Sequence, residues 1–164
     1  MVTAEVRLWL AQGNSLEVGR WSDSLEKDFS SGDPFRFENE LAHITLARVY
    51  IAQKKLDESI GLLNRLEANA QSGGRTGRLI GILILKALAM QKLGEPAQAL
   101  ATLAKSLALA KPEGYIRVFL DEGQPMQMLL AQWLAHADAS PLRDHVIQPR
   151  PLGSEKNTGQ TKEV

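Results

Sequence analysis

The chain contains no cysteine. Disulfide staples and thiolate chemistry are therefore excluded, and the absence fits a reducing cytoplasm, where the protein is expected to work. It also carries no net charge, because 19 Lys and Arg balance 19 Asp and Glu. Proteins that grip nucleic acid show a basic surplus or stripe, since phosphate contacts supply most of their affinity, so no direct nucleic-acid contact is expected from this segment. Long apolar runs are missing too. The longest, Leu79 to Met90, is interrupted by Lys86 and is too short and too polar to span a bilayer, so no membrane partner is expected. The opening MVTAEVRLWL has no basic n-region before a long apolar stretch and does not read as a signal peptide. It enters a helical pattern almost at once, which reads as a boundary cut into a longer protein. Aromatic residues make up only 5%, and alternating β-branched or aromatic runs are almost absent, which removes strands as the main building element.

Apolar residues still amount to 44% of 164, enough to bury a core and to fold. Ala, Leu, Glu, Gln, Lys and Arg dominate, all of them good helix formers. Gly, Asp and Pro punctuate the chain into helix-length pieces. The pattern predicts helices over 3–12 and 16–28, the first closed by Gly13-Asn14 and the second capped by Ser15. After the loop Ser30 to Pro34, a long helix is expected over 36–52. Asp57 is the expected cap of a helix over 58–71, which Ser72-Gly73-Gly74 ends. Helices over 76–92 and 97–110 follow, joined by Leu93-Gly94-Glu95-Pro96, with proline at the favourable first position. A short helix over 113–120, a turn at Asp121-Glu122-Gly123 and a last helix from Pro125 to His136 complete the pattern. From Ala139 the chain turns polar and carries Pro141, Pro149 and Pro151. The expected division is a helical domain over 1–137, with about three helix pairs and a C-terminal capping helix, and a flexible linker or tail over 138–164.

An internal repeat is the most informative feature. Leu41 to Leu66 and Gly81 to Ser106 align without gaps at an offset of 40. Ala47 meets Ala87, Tyr50 meets Met90, Ser59 meets Ala99, Ile60 meets Leu100, and Leu63 meets Leu103. The small residues allow two helices of a hairpin to approach closely, and the large ones fill the space between turns. The order (apolar, small, then aromatic on one helix; small then apolar on the next) resembles the tetratricopeptide repeat. The usual unit of that repeat is about 34 residues. The longer offset here places the excess in an extended connection over 68–78. Trp9 to Trp21 resembles the middle of an earlier repeat. The resemblance implies an all-α, right-handed superhelix of antiparallel helix pairs, in which each pair buries little alone and stacking creates the core. An irregular helical bundle is the competing architecture.

A narrower resemblance follows. Glu38 to Leu130 is similar to the end of the repeat region in large ATP-dependent LuxR-type bacterial activators, the family of the maltose-regulon activator. EGYIRVFLDEG followed by PM, Glu113 to Met126, is its most specific phrase, and RLWLAQGN, Arg7 to Asn14, also matches; the resemblance spans about 4–134. In that family a P-loop ATPase module precedes the repeats and a helix-turn-helix domain follows them. Here no GxxxxGK[ST] is present. The Gly-rich SGGRTGR, Ser72 to Arg78, lacks both the Lys-Ser/Thr and a preceding strand. The resemblance thus implies a regulatory recognition segment without cofactor, whose partner is a small-molecule inducer or another protein, with self-association as a further expectation.

The residues themselves offer little chemistry. His43, His136 and His145 are scattered, and no HExxH is present. Asp57-Glu58 suits a helix start. Asp121-Glu122 is expected to pair with Arg117. Trp9, Trp21 and Trp133 are expected to pack near the ends of the stack. By the repeat register, the concave face is lined by Leu41, Ile44, Arg48 and Ile51, then by Gly81, Ile84, Leu88 and Gln91. Ile44, Arg48, Ile51, Ile84, Leu88 and Gln91 form the candidate binding surface for an inducer, a peptide, a partner helix or a neighbouring protomer. Arg48 is its chief polar group, because a guanidinium fork suits carboxylate or phosphate, although a solvated or intramolecular pair is the favoured use of it. The clamp by which co-chaperone repeats hold a C-terminal carboxylate is unmatched, with Ile44 and Leu88 at two of its positions. A stand-alone repeat scaffold for a protein partner is the second reading. A hydrolase or transferase is the third, and it would need converging titratable groups that the sequence does not supply.

Overall fold

The computed structural model describes residues 2–29 and 39–136. Eight helices occur among them: α1 (Val2–Ala11), α2 (Ser15–Phe29), α3 (Glu40–Ala52), α4 (Leu56–Ser72), α5 (Thr76–Leu93), α6 (Pro96–Glu113), the single turn α7 (Arg117–Leu120) and α8 (Gln124–His136). They stack as antiparallel pairs, α1 with α2, α3 with α4 and α5 with α6, and α8 then packs on both α5 and α6. The expected start of the third helix at Arg36 and the expected tail over 138–164, with His145, lie outside the described residues.

One turn design joins the helices. At Lys54, Gly74 and Gly94 the chain takes a left-handed conformation. The amide of that residue donates to the carbonyl three before it, and the next amide donates to the carbonyl five before: Lys54 to Ile51 and Lys55 to Tyr50, Gly74 to Gln71 and Arg75 to Ala70, Gly94 to Gln91 and Glu95 to Met90. These bonds satisfy the last carbonyls of a helix that would otherwise face no partner. Gly114 is left-handed in the same way, so the turns recur every 20 residues at 54, 74, 94 and 114. The 40-residue offset is thus two helix-and-turn units of 20 residues each. This corrects the expected extended connection over 68–78. α4 continues to Ser72 and α5 begins at Thr76, so the excess over a 34-residue unit is helix rather than loop.

Three other boundaries differ from expectation. α4 starts at Leu56 with Lys55 at its N-cap, so Asp57 is not the cap; with Glu58 it lies in the first turn, where a negative charge favours the positive helix end. α6 runs through Pro112 and is ended by left-handed Gly114. That leaves α7 only Arg117–Leu120 of the expected 113–120 helix.

The core forms in layers between the pairs. Val6, Val18 and Val49 join α1, α2 and α3, with Trp9 and Trp21 packed against them. Ala47, Leu63, Leu66 and Ala70 meet one face of α5 at Leu79, Ile82, Leu83, Leu85 and Ala89. The other face of α5, at Ile80, Ile84, Ala87, Leu88 and Met90, meets Ala99, Leu103, Phe119, Met126, Leu129 and Trp133. α5 is therefore apolar on nearly all sides because it lies between two layers. The repeat register holds at its closest point: buried Ser59 donates its hydroxyl to the Ala47 carbonyl at 3.0 Å, a distance that only a small residue on each helix permits.

Candidate functional site

The expected surface residues and the polar groups that meet them lie on α3, α5 and α8 and on the turn between α7 and α8. Arg48 leaves α3 and meets Glu122, 74 residues later in the chain. Arg48 Nη1 donates to Glu122 Oε2 at 2.6 Å, and Nη2 donates to Oε1. This is a two-pronged guanidinium–carboxylate pair, the strong and orientation-specific kind. The Arg48 side chain is 23% exposed and that of Glu122 10%, so the pair is shielded from solvent more than a surface bridge is. The phrase Glu113 to Met126 thus folds into a strap whose turn presents a carboxylate to a helix two repeats back. The expected pairing of Asp121-Glu122 with Arg117 is not what forms: Arg117 and Asp121 share a backbone bond, and the Glu122 carboxylate faces Arg48.

Beside α5, Gln91 Nε2 donates to Gln132 Oε1 of α8 at 3.2 Å. Gln91 Oε1 is buried without a hydrogen-bond partner. Of the six residues expected to line the binding surface, Ile84 and Leu88 are seated in the core beneath α6 and α8. Ile51 is buried in the layer between α3, α4 and α5, with Ile44 partly buried against it. Arg48 and Gln91 keep partial exposure, each holding a polar partner. Sequence reasoning missed both partners. The 40-residue offset carries Gln91 to Ala131, one residue short of Gln132, so the repeat does not announce that pair. Nothing local marks Glu122 as a partner of Arg48.

Further polar contacts tie the stack together. Glu67 of α4 accepts from Lys86 of α5 at 2.7 Å and from Lys105 of α6 at 2.5 Å. Burial pushes its carboxyl up, but the two lysines outweigh burial and hold it below the ordinary carboxylate value. Tyr50 donates to Glu26 of α2 at 2.6 Å and lies under Lys55, whose ammonium is 5.5 Å from the ring centre. Burial, with the hydrogen bond to Glu26, raises the Tyr50 phenol well above its usual value. His43 is buried, its Nδ1 2.7 Å from the Asn39 carbonyl, and burial lowers its pKa. His136 faces its own helix, with Nδ1 2.8 Å from the Gln132 carbonyl. Among the described residues, no group of three or more His, Asp and Glu is placed to hold a metal ion. No helix among them is long and apolar enough to cross a membrane. The polar groups of this face are thus a guanidinium fork held by a carboxylate and a pair of side-chain amides.

Comparison with protein families matches residues 1–136 to the MalT-like TPR region. Neither the comparison with curated proteins nor that with solved structures gives a match. A repeat region of this type is a non-catalytic module, typical of LuxR-type regulators. With 136 residues matched and the stacked helix pairs in place, the chain belongs to the family of MalT-like tetratricopeptide-repeat regions.

Proposed function

We propose that this chain is the sensor segment of a cytoplasmic LuxR-type transcriptional activator, and that binding of an inducer or protein partner biases self-association of the parent protein. ATP hydrolysis and DNA binding then belong to other segments of that parent. The observation that carries the reading is the family match over residues 1–136, whose most specific phrase builds the strap that brings Glu122 to Arg48. The proposed contact surface runs along α3 and α5 around Arg48 and Gln91; of the other expected members Ile44 is partly buried, and Ile51, Ile84 and Leu88 are core residues. Its buried members support the face from beneath, and Arg48 and Gln91 supply its directional groups.

A thermal-shift screen of sugars, nucleotides and peptides tests the reading, since a ligand specific for the folded state raises the melting temperature. The expected result is at least one ligand whose shift is lost in Arg48→Gln or Gln91→Ala. Hits that ignore both substitutions would place the surface elsewhere. For the regulator assignment, a parent gene lacking both an upstream P-loop and a downstream helix-turn-helix would overturn it.

A further inference from the structure

The strap between α6 and α8 carries a second feature, on its solvent side. Eight large apolar residues are exposed among the described residues, and three of them, Tyr115, Ile116 and Leu120, fall within six positions of the strap. Single exposed apolar residues are ordinary on a protein surface, but a local cluster marks a contact surface. The strap is also held in place. Phe119 is buried in the layer below with Val118 packed against that layer, and Glu122 is bonded to Arg48. Its outer side chains are therefore presented by a fixed segment, which lowers the ordering cost of a contact.

The charges of the strap say what covers it. Ile116 and Leu120, 57% and 58% exposed, stand one helical turn apart. Arg117 and Asp121, both exposed, stand one turn apart beside them, and the Asp121 amide donates to the Arg117 carbonyl at 3.0 Å. Their side chains do not bridge each other, and neither has a hydrogen bond or ion pair with another of the described residues. Arg before Asp is the less favourable order for a bridge along one helix. The patch is instead self-complementary. A second copy, rotated by half a turn about an axis through the middle of the patch, lays Ile116 on Leu120 and Arg117 on Asp121. The same contacts form in both directions, as a two-fold interface requires. We propose that two copies of this chain pair through the outer side of α7, with Ile116 and Leu120 at the centre and two Arg117–Asp121 bridges at the rim. The inference rests on the self-association in the reading above and gives it a surface, apart from the Arg48 and Gln91 groups. A patch of one helical turn is small, so the pairing belongs to the weak end of specific interfaces.

The test is sedimentation equilibrium of the whole chain, with amide NMR spectra recorded over the same concentrations. A monomer–dimer equilibrium with a Kd of about 0.1–1 mM is expected, and the amides that shift with concentration should centre on 115–121. Arg117→Asp and Asp121→Arg alter exposed side chains, and each should weaken self-association at least about tenfold, because like charges then face each other. An equimolar mixture of these two variants recovers both bridges and should associate about as tightly as the unaltered chain. The double reversal, whose net charge is unchanged, should do the same, which separates paired bridges from general charge attraction. Leu120→Ser should abolish association. A chain that stays monomeric at about 2 mM, above the expected Kd, would overturn the proposal. So would association that survives either single reversal, association that does not return in the double reversal, or shifts centred on the Leu8 and Leu16 end instead. Ligand binding at Arg48 and Gln91 is read separately, by thermal shift in dilute protein, so failure of this surface and failure of the sensor reading are told apart.

Discussion

At the scale of single residues, Lys54 stands where the repeat elsewhere has glycine. It takes φ 62° in a turn whose counterpart at Gly94 has φ 89°, and both turns make the same two backbone bonds. A side chain in the left-handed region costs about 1–2 kcal/mol, and glycine returns part of that through the greater freedom of the unfolded chain. Lys54→Gly is therefore expected to stabilise the protein by about 0.5–1 kcal/mol, read as a higher urea midpoint at unchanged slope; a lower midpoint would contradict the shared turn design. His43 makes a second prediction. Its pKa lies below the 6.5 of a free imidazole, first because of burial and also because of Arg65, against the opposing bond to Asn39. The native state thus holds a neutral ring that the unfolded chain protonates more readily. Its contribution is complete above pH 6.5 and is lost as pH falls from there toward the lower folded value. Urea midpoints measured between about pH 7.5 and 5 should drop below pH 6.5, and the drop should be shallower in His43→Gln. Glu67 acts in a separate, more acidic window, since its depressed carboxyl loses its lysine partners only below 4.5.

At the scale of elements, each helix pair depends on a narrow seam. Ala47 and Ala87 are fully buried, as are Ser59 and Ala99 on the facing helices. A larger side chain there would separate the helices and break the Ser59–Ala47 bond. Ala47→Leu or Ala87→Leu should each destabilise by about 1–3 kcal/mol through overpacking, measured by chemical denaturation. If both were neutral, the repeat register would be wrong. α5 shows why element-level reading needs its neighbours. It lacks a polar face because it serves two layers at once, and Lys86, the one charge within its apolar run, is matched to Glu67.

At the scale of the molecule, the Arg48–Glu122 pair joins the second helix pair to the strap before α8. It closes a long stretch of chain with two hydrogen bonds between charged groups, each such bond contributing about 1.5–3 kcal/mol. Glu122→Gln should lower stability by about 1–3 kcal/mol. A double-mutant cycle with Arg48→Met should give a coupling energy of about 0.5–3 kcal/mol, since contacting residues do not act additively. Hydrogen exchange should separate this from a general loss of stability: amides of α7 and of the turn before α8 should exchange faster in Glu122→Gln, while those in the middle of α5 should not. A coupling energy near zero would mean that the strap is held by Phe119 and Met126 alone.

What the sequence determined by itself was local and periodic. The offset of 40, the small residues at Ala47, Ser59, Ala87 and Ala99, and the turn glycines follow from helix geometry and left-handed sterics, which act over a few residues. The family phrase Glu113 to Met126 was legible in the same way, as a pattern. Tertiary structure alone decided where that phrase goes. Arg117 was the near partner for Glu122 along the chain, yet helix stacking carries the carboxylate to Arg48, because the preceding strap sets its position. Burial of Ile84 and Leu88 likewise depended on α8 packing across α5, and no helical period announces that. The pairing of Arg75 with Glu40, 35 residues apart, arises from the same cause. Side chains far apart in sequence meet only when whole helices have been placed.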